Sequence, residues 1–188
     1  MRIFIDPGHG GRDFGNVSAD GLKESAVVFD TSLRLGEILE GKGHEVNYSR
    51  TDDTAVSLSS RAQMANDWKA DVFVSVHCNY CESPQANGVE TWIYRQSTRA
   101  EHLADEIRYK LVRSGGLRDR GLVTQDMAVL RLSEMPAAQV EMAFLSNPRE
   151  AGLLADADFL QANAQAVADG VGEYFRKDGW YLDNTNKK

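Results

Sequence analysis

The stretch Val72-Phe73-Val74-Ser75-Val76 is a short run of mostly apolar, β-branched residues that ends at His77. Such a run is typical of a strand buried on both faces, as strands are in the middle of a parallel sheet. Patterns with helical spacing precede and follow it along the chain. This stretch therefore favours an α/β fold in which a histidine lies at the carboxyl end of a central strand.

The rest of the chain alternates in the same way. Further strands are predicted over residues 2–5, 44–49, 88–94, 129–132 and 137–142. Helices are predicted over residues 24–41, 58–68, 98–112 and 148–176, the last with a break near residue 157, and Ser57 is a suitable N-cap for the second. The pattern predicts a three-layer α/β/α domain, with a twisted, mostly parallel sheet of about six strands and helices on both faces.

Length and composition limit the possible functions. A chain of 188 residues fits one domain, which we place at residues 1–177, followed by a polar tail or the start of a linker at 178–188. A net charge of -7 argues against a nucleic-acid-binding protein, which usually carries a basic stripe. No apolar run is long enough to span a membrane. We expect a monomer.

The first residues show no signal peptide, because they form a strand pattern that leads directly into a loop. The sequence alone therefore suggests that the protein is released by lysis, or that the chain is a fragment of a secreted precursor.

Four residues with metal-binding or acid–base side chains follow or end predicted strands. His9 lies in the loop after the first strand, and Glu24 begins the next helix. His77 ends the central strand, and Glu141 lies near the end of the last. In an open α/β sheet, ligands bind beyond the carboxyl ends of the strands. If these strands are parallel, all four side chains reach one edge of the sheet.

Two histidines and one carboxylate, with a position left for water, are the ligand set of a catalytic zinc ion. Zinc lowers the pKa of bound water and polarises a carbonyl group, and a nearby carboxylate outside the ligand set is then needed to move protons. Glu24 suits the ligand role, and Glu141 suits the role of general base and acid.

The blocks that contain these residues resemble the zinc-dependent N-acetylmuramoyl-L-alanine amidase family, known as Amidase_3. The resemblance follows the chain in order from about residue 2 to about residue 175. One departure is Ala143, where the family commonly has glycine. The four blocks are Ile5-Asp6-Pro7-Gly8-His9-Gly10-Gly11, Leu22-Lys23-Glu24-Ser25, Val74-Ser75-Val76-His77-Cys78-Asn79 and Val140-Glu141-Met142-Ala143-Phe144-Leu145-Ser146-Asn147.

The resemblance implies one Zn²⁺ per chain, bound by His9, Glu24 and His77, with Glu141 as the general base and acid. The implied substrate is peptidoglycan, so the protein would act on the cell wall. The implied reaction cuts the amide bond between the lactyl group of N-acetylmuramic acid and L-alanine of the stem peptide. Some family members carry a helical insertion that covers the metal; we see no such insertion and expect an accessible site.

Several assignments remain open at this stage. The chain could be a peptidoglycan-binding module of the same fold without catalysis, or another wall hydrolase such as a glycosidase with paired carboxylates. Asp6 could orient a ligand histidine or shape the turn. Asn79 could bind substrate or stabilise its own loop. Cys78 and Cys81 form a C-x-x-C pattern that we assign to packing.

Overall fold

The computed structural model describes residues 1–96 and 98–185. Within these residues, the chain forms one sheet of six strands with helices on both faces. The strands are β1 (Arg2–Pro7), β2 (Glu45–Tyr48), β3 (Val72–Asn79), β4 (Val89–Ile93), β5 (Asp119–Thr124) and β6 (Ala137–Phe144). The helices are α1 (Glu24–Gly41), α2 (Leu58–Asp67), α3 (Thr98–Gly115), α4 (Ala128–Leu132), α5 (Pro148–Leu154) and α6 (Ala157–Thr185).

The strand order is β2-β1-β3-β6-β4-β5. The first four of these strands are parallel to one another. β4 is antiparallel to β6, and β5 is parallel to β4. The predicted three-layer, mostly parallel architecture is confirmed, with one antiparallel pairing between β4 and β6 within the described residues.

Two apolar layers cover the sheet. The larger one packs α1, α3 and α6 against buried side chains such as Ile5, Val74 and Val140. The smaller one joins α2 and α4 to Phe4 and Phe73, whose rings stack with centroids 5.8 Å apart. Burial of these apolar side chains is the main stabilising contribution to such a fold.

Two sequence predictions differ from the structure. Residues 129–132 were predicted as a strand but belong to α4, whose Val129 and Leu130 are buried in the smaller apolar layer. A run of four apolar residues has no usable period, so it cannot distinguish a strand from one turn of helix. β5 was not predicted, because this edge strand is charged, partly exposed and interrupted by Gly121.

Helix ends agree with local chemistry. Ser57 accepts a hydrogen bond from the Ser60 backbone at 3.1 Å, which confirms it as the N-cap of α2. α5 begins with Pro148 after Asn147, whose side chain caps the helix.

α6 continues to Thr185, and residues 186–188 lie outside the described part; the domain boundary at 177 stays a prediction. Across the described residues, no helix has an apolar stretch long enough to cross a bilayer.

Candidate metal centre

Three adjacent parallel strands bring the predicted site residues to one edge of the sheet. His9 lies in the loop after β1, and Glu24 is the first residue of α1. His77 lies in β3, and Glu141 of β6 is its register partner. Parallel strands β1, β3 and β6 lie side by side, so these residues meet near the carboxyl ends of the strands, as the sequence predicts.

Donor atoms from His9, Glu24 and His77 converge on one point. Glu24 Oε1 lies 3.1 Å from His9 Nε2 and 3.0 Å from His77 Nδ1. One ligand atom from each residue lies within 4.8 Å of the others. Ligands held at about 2.0–2.1 Å around a tetrahedral zinc ion are about 3.3 Å apart, so these residues fit such an ion.

The three side chains carry complementary charges. Burial alone would raise the pKa of Glu24, but the two imidazoles hold it well below its ordinary value. Burial opposes a charge on His9, but Glu24 and Asp13 raise its pKa to about 9. The pKa of His77 is also raised, because Glu24 outweighs burial there. A carboxylate that stabilises the protons on two neighbouring imidazoles also stabilises a metal cation that replaces those protons.

The carboxylate of Glu24 is fixed by backbone and side-chain donors. Its Oε2 accepts hydrogen bonds from the backbone and side-chain amides of Asn16, at 2.9 and 3.0 Å. Its Oε1, which faces the histidines, also accepts from the Cys78 backbone at 3.1 Å. Asn16 therefore orients the ligand carboxylate. Sequence reasoning missed this residue, because nothing in a loop sequence shows which side chain turns inward.

His9 is oriented by Asp13, which lies four residues later in the same loop. His9 Nδ1 is 2.9 Å from Asp13 Oδ2, while its Nε2 faces Glu24. A carboxylate on the outer nitrogen fixes the ring and makes the inner nitrogen a better ligand. Asp6, which was considered for this role, instead accepts hydrogen bonds from Ser49, Ser75 and Arg61 and shapes the turn.

Two buried arginines hold the backbone of this loop. Arg61 donates to the carbonyls of Pro7 and His9, each at 2.6 Å. Arg50 donates to the carbonyls of Pro7 and Gly8, at 3.1 and 2.8 Å. His9 has a φ of 59°, which non-glycine residues rarely adopt. These hydrogen bonds therefore stabilise a backbone conformation that the loop would not favour alone.

Two glycines allow the ligand side chains to approach. A Cβ on Gly8 would lie 2.3 Å from His77 Cε1. A Cβ on Gly15 would lie 2.6 Å from Glu24 Oε2, and the φ of Gly15 is +64°. No larger residue fits either position without displacing a ligand.

Glu141 lies beside this cluster and is almost fully buried, with 3% exposure. Burial raises its pKa to about 7, assisted by Glu24 and Glu90 and opposed by His77 and Gln139. A carboxylate that titrates near neutral pH is suited to accept a proton and return it. The geometry thus allows acid–base chemistry next to the candidate metal site.

Glu90 is a further acidic residue that sequence reasoning missed. It is the register partner of Glu141 on antiparallel β4. Its carboxylate accepts hydrogen bonds from the indole of Trp92, at 2.9 Å, and from the guanidinium of Arg120. Glu90 therefore lies one strand spacing from Glu141, and its charge contributes to the raised pKa of Glu141.

The remaining predicted residues have local roles in the structure. Asn79 Oδ1 accepts a hydrogen bond from the Tyr80 backbone at 2.8 Å, which stabilises its loop; substrate binding by Asn79 stays a prediction. Cys78 and Cys81 are free thiols, and burial raises the pKa of the Cys78 thiol well above its usual value. A buried, neutral thiol agrees with the assignment to packing.

The candidate centre is accessible from outside. The side chains of His9 and His77 retain 21% and 16% of their exposure. Glu24 and Glu141 lie beneath them and are buried. Solvent therefore reaches the candidate centre from the side on which the two imidazoles lie.

Comparison with known proteins agrees with this arrangement. Residues 3–173 match the Amidase_3 family, described as N-acetylmuramoyl-L-alanine amidase. The chain is 39% identical over 176 residues to the amidase LytC of Bacillus subtilis, covering 93% of this chain but 35% of LytC. It is 38% identical to the amidase CwlM of Bacillus licheniformis, covering 93% of this chain and 69% of CwlM.

A crystal structure of an N-acetylmuramoyl-L-alanine amidase from Clostridium difficile 630 has the same fold. The TM-score is 0.90 at 36% identity, covering 93% of this chain and 96% of that one. Residues 3–173, which match the family, include the strands and helices that hold His9, Glu24, His77 and Glu141. The chain belongs to the Amidase_3 family of N-acetylmuramoyl-L-alanine amidases.

Proposed function

We propose that this chain is a zinc-dependent N-acetylmuramoyl-L-alanine amidase that acts on the peptidoglycan of the cell wall. The bond cut is the amide between the lactyl group of N-acetylmuramic acid and L-alanine of the stem peptide. The observation that carries the proposal is the convergence of His9, Glu24 and His77 beside the buried carboxylate of Glu141. Family membership supports the choice of substrate.

His9, Glu24 and His77 would hold one Zn²⁺. When bound, zinc would polarise the scissile carbonyl and make water more acidic. Neutral imidazoles and one carboxylate suit this ion, because they bind it firmly and leave a position for water. Asp13 and Asn16 keep the ligand atoms directed at the same point, so little reorganisation is needed when metal binds.

Glu141 takes a proton from the attacking water and later delivers it to the leaving amine of L-alanine. Both transfers need a group that changes protonation state near neutral pH, and burial gives Glu141 this property. Its position on a central strand fixes the carboxylate relative to His77. A module that merely bound the wall would have no use for a buried acid at this place.

The decisive experiment is digestion of purified peptidoglycan with and without a chelator, followed by mass spectrometry of the product termini. The proposal expects new L-alanine amino termini, loss of activity on chelation, and recovery on adding zinc. New reducing sugars that persist with chelator would instead identify a metal-independent glycosidase. Binding to peptidoglycan without any product would identify a binding module.

A further inference from the structure

Gln139 lies two residues before Glu141 on β6, so both side chains project from the same face of the sheet. The side-chain amide of Gln139 donates a hydrogen bond from Nε2 to Glu141 Oε1 at 2.7 Å. Both residues are buried, with 2% and 3% exposure. A short hydrogen bond away from solvent fixes the position of this carboxylate oxygen.

The other half of the same amide has no partner. Gln139 Oε1 is buried and accepts no hydrogen bond from the residues that the structure describes. Its neighbours in register are Ser75 on β3 and Trp92 on β4. Each of them donates elsewhere: the Ser75 hydroxyl to Asp6 at 2.7 Å, and the Trp92 indole to Glu90 at 2.9 Å.

A buried amide with an unpartnered oxygen weakens a fold relative to an apolar side chain of similar size. Stability therefore does not explain a glutamine at this position. We propose that Gln139 is a positioning residue for Glu141, holding one oxygen of the general base so that the other is directed to the water and the leaving amine. This inference rests on the proposed function, because it needs Glu141 to act as the base.

The amide can serve both protonation states of Glu141. When Glu141 is ionised, the N–H of Gln139 donates to it, as the structure shows. When Glu141 carries the proton taken from water on its other oxygen, Oε1 becomes the carbonyl oxygen of the acid and still accepts from the same N–H. The carboxyl group then stays in place while it gains and loses the proton.

The test is Gln139→Met, which keeps the length of the side chain and removes its donor and acceptor. We expect kcat on peptidoglycan to fall by about 10- to 100-fold, the effect of losing a hydrogen bond to a charged group. KM should change by less than about twofold. The acidic limb of the pH profile should move to higher pH, because the ionised base loses a stabilising donor.

Readouts other than activity separate positioning from a structural role. Zinc content should stay at the wild-type level, and Tm should stay the same or rise, because the unpartnered oxygen is gone. The matched control is Thr91→Val. Thr91 Oγ1 is also buried without a partner, but its register partner is Val140 rather than Glu141. This variant should keep wild-type kcat and pH profile.

Two results would overturn the inference while leaving the proposed function intact. In the first, wild-type protein is an active, chelator-sensitive amidase and Gln139→Met matches its kcat. In the second, kcat and Tm fall together and the pH profile does not move, which identifies a structural role. A wild-type protein without chelator-sensitive amidase activity would overturn the proposed function itself, and the role of Gln139 with it.

Discussion

His77 of β3 and Glu141 of β6 occupy the same register position on two adjacent parallel strands. The proposed metal ligand and the proposed base are therefore spaced by the hydrogen bonds of a buried sheet. The other two ligands come from a loop and a helix start, which need additional hydrogen bonds to reach the same precision. Sites built on strands hold their geometry better than sites built on loops.

Replacing the proposed base should separate metal binding from turnover. We expect Glu141→Gln to lower turnover of peptidoglycan by about 10²- to 10⁴-fold, the usual contribution of general acid–base catalysis. Zinc content, measured on the purified protein, should not change, because Glu141 is not among the converging ligand atoms. Glu40→Gln, at an exposed position near the end of α1, is the control and should keep full activity. Undiminished hydrolysis by Glu141→Gln would show that another group is the base.

The same substitution should change the pH dependence of stability in metal-free protein. Burial, with Glu24 and Glu90, raises the pKa of Glu141 from 4.5 to about 7, against the opposing influence of His77 and Gln139. A raised pKa means that the folded protein favours the protonated form of Glu141. The resulting stabilisation of the fold is complete below the pKa that Glu141 has in the unfolded chain, and it is lost as pH rises through about 7.

Glutamine cannot ionise and does not show this loss. Between about pH 5 and pH 8, the unfolding free energy of Glu141→Gln should therefore rise relative to wild type by roughly 2 kcal/mol, or about 5 °C in Tm. Thermal unfolding in the presence of chelator measures this difference. Parallel curves for the two proteins would mean that the pKa of Glu141 is not raised by burial.

The carboxylate behind His9 should contribute to metal affinity. Asp13→Asn keeps an oxygen that can accept from the Gly15 backbone but removes the charge on His9 Nδ1. We expect zinc affinity to fall by about 10- to 100-fold, as for other carboxylates that orient ligand histidines. Competition with a chromophoric chelator measures this. Asp20→Asn, an exposed carboxylate of the same loop, is the control; equal affinities for the two variants would contradict the role of Asp13.

Gly15 should be required for space as well as for backbone conformation. In Gly15→Ala, the new methyl group would meet Glu24 and His9, so zinc affinity should fall at least about tenfold. Gly21→Ala is a matched control, because Gly21 also has a positive φ but has no atom within 4 Å of the added Cβ. It should lose roughly 1 kcal/mol of stability, because alanine is strained at a positive φ, and keep its zinc affinity. Similar zinc affinities in both variants would refute the steric argument.

The rule that ligands bind beyond the carboxyl ends of strands was sufficient to predict that His9, Glu24, His77 and Glu141 lie at one edge of the sheet. The rule depends on the order of strands and helices rather than on loop conformation. Asp13 and Asn16 could not be predicted in the same way. Their side chains reach the ligands through a loop that contains positive φ angles and is held by two distant arginines. Such a conformation follows from tertiary contacts, which a local pattern does not contain.

Glu90 was missed for a different reason. It lies near the start of β4, whereas the rule considers the ends of strands. The direction of β4 cannot be read from its residues, since an apolar pattern is the same for parallel and antiparallel pairing on a covered sheet. The short helix α4 was missed because its burial against Phe4 and Phe73, rather than any periodicity, selects its conformation.

The reversed direction of β4 has a bearing on how this scaffold can diversify. Segment 80–88 leaves β3 and enters β4 at the same rim of the sheet, next to His77 and Glu90. Parallel connections, by contrast, must cross the domain and carry a helix with them. Lengthening or shortening this segment would therefore remodel the rim beside the candidate metal centre while the packing of the helices on the sheet stays unchanged.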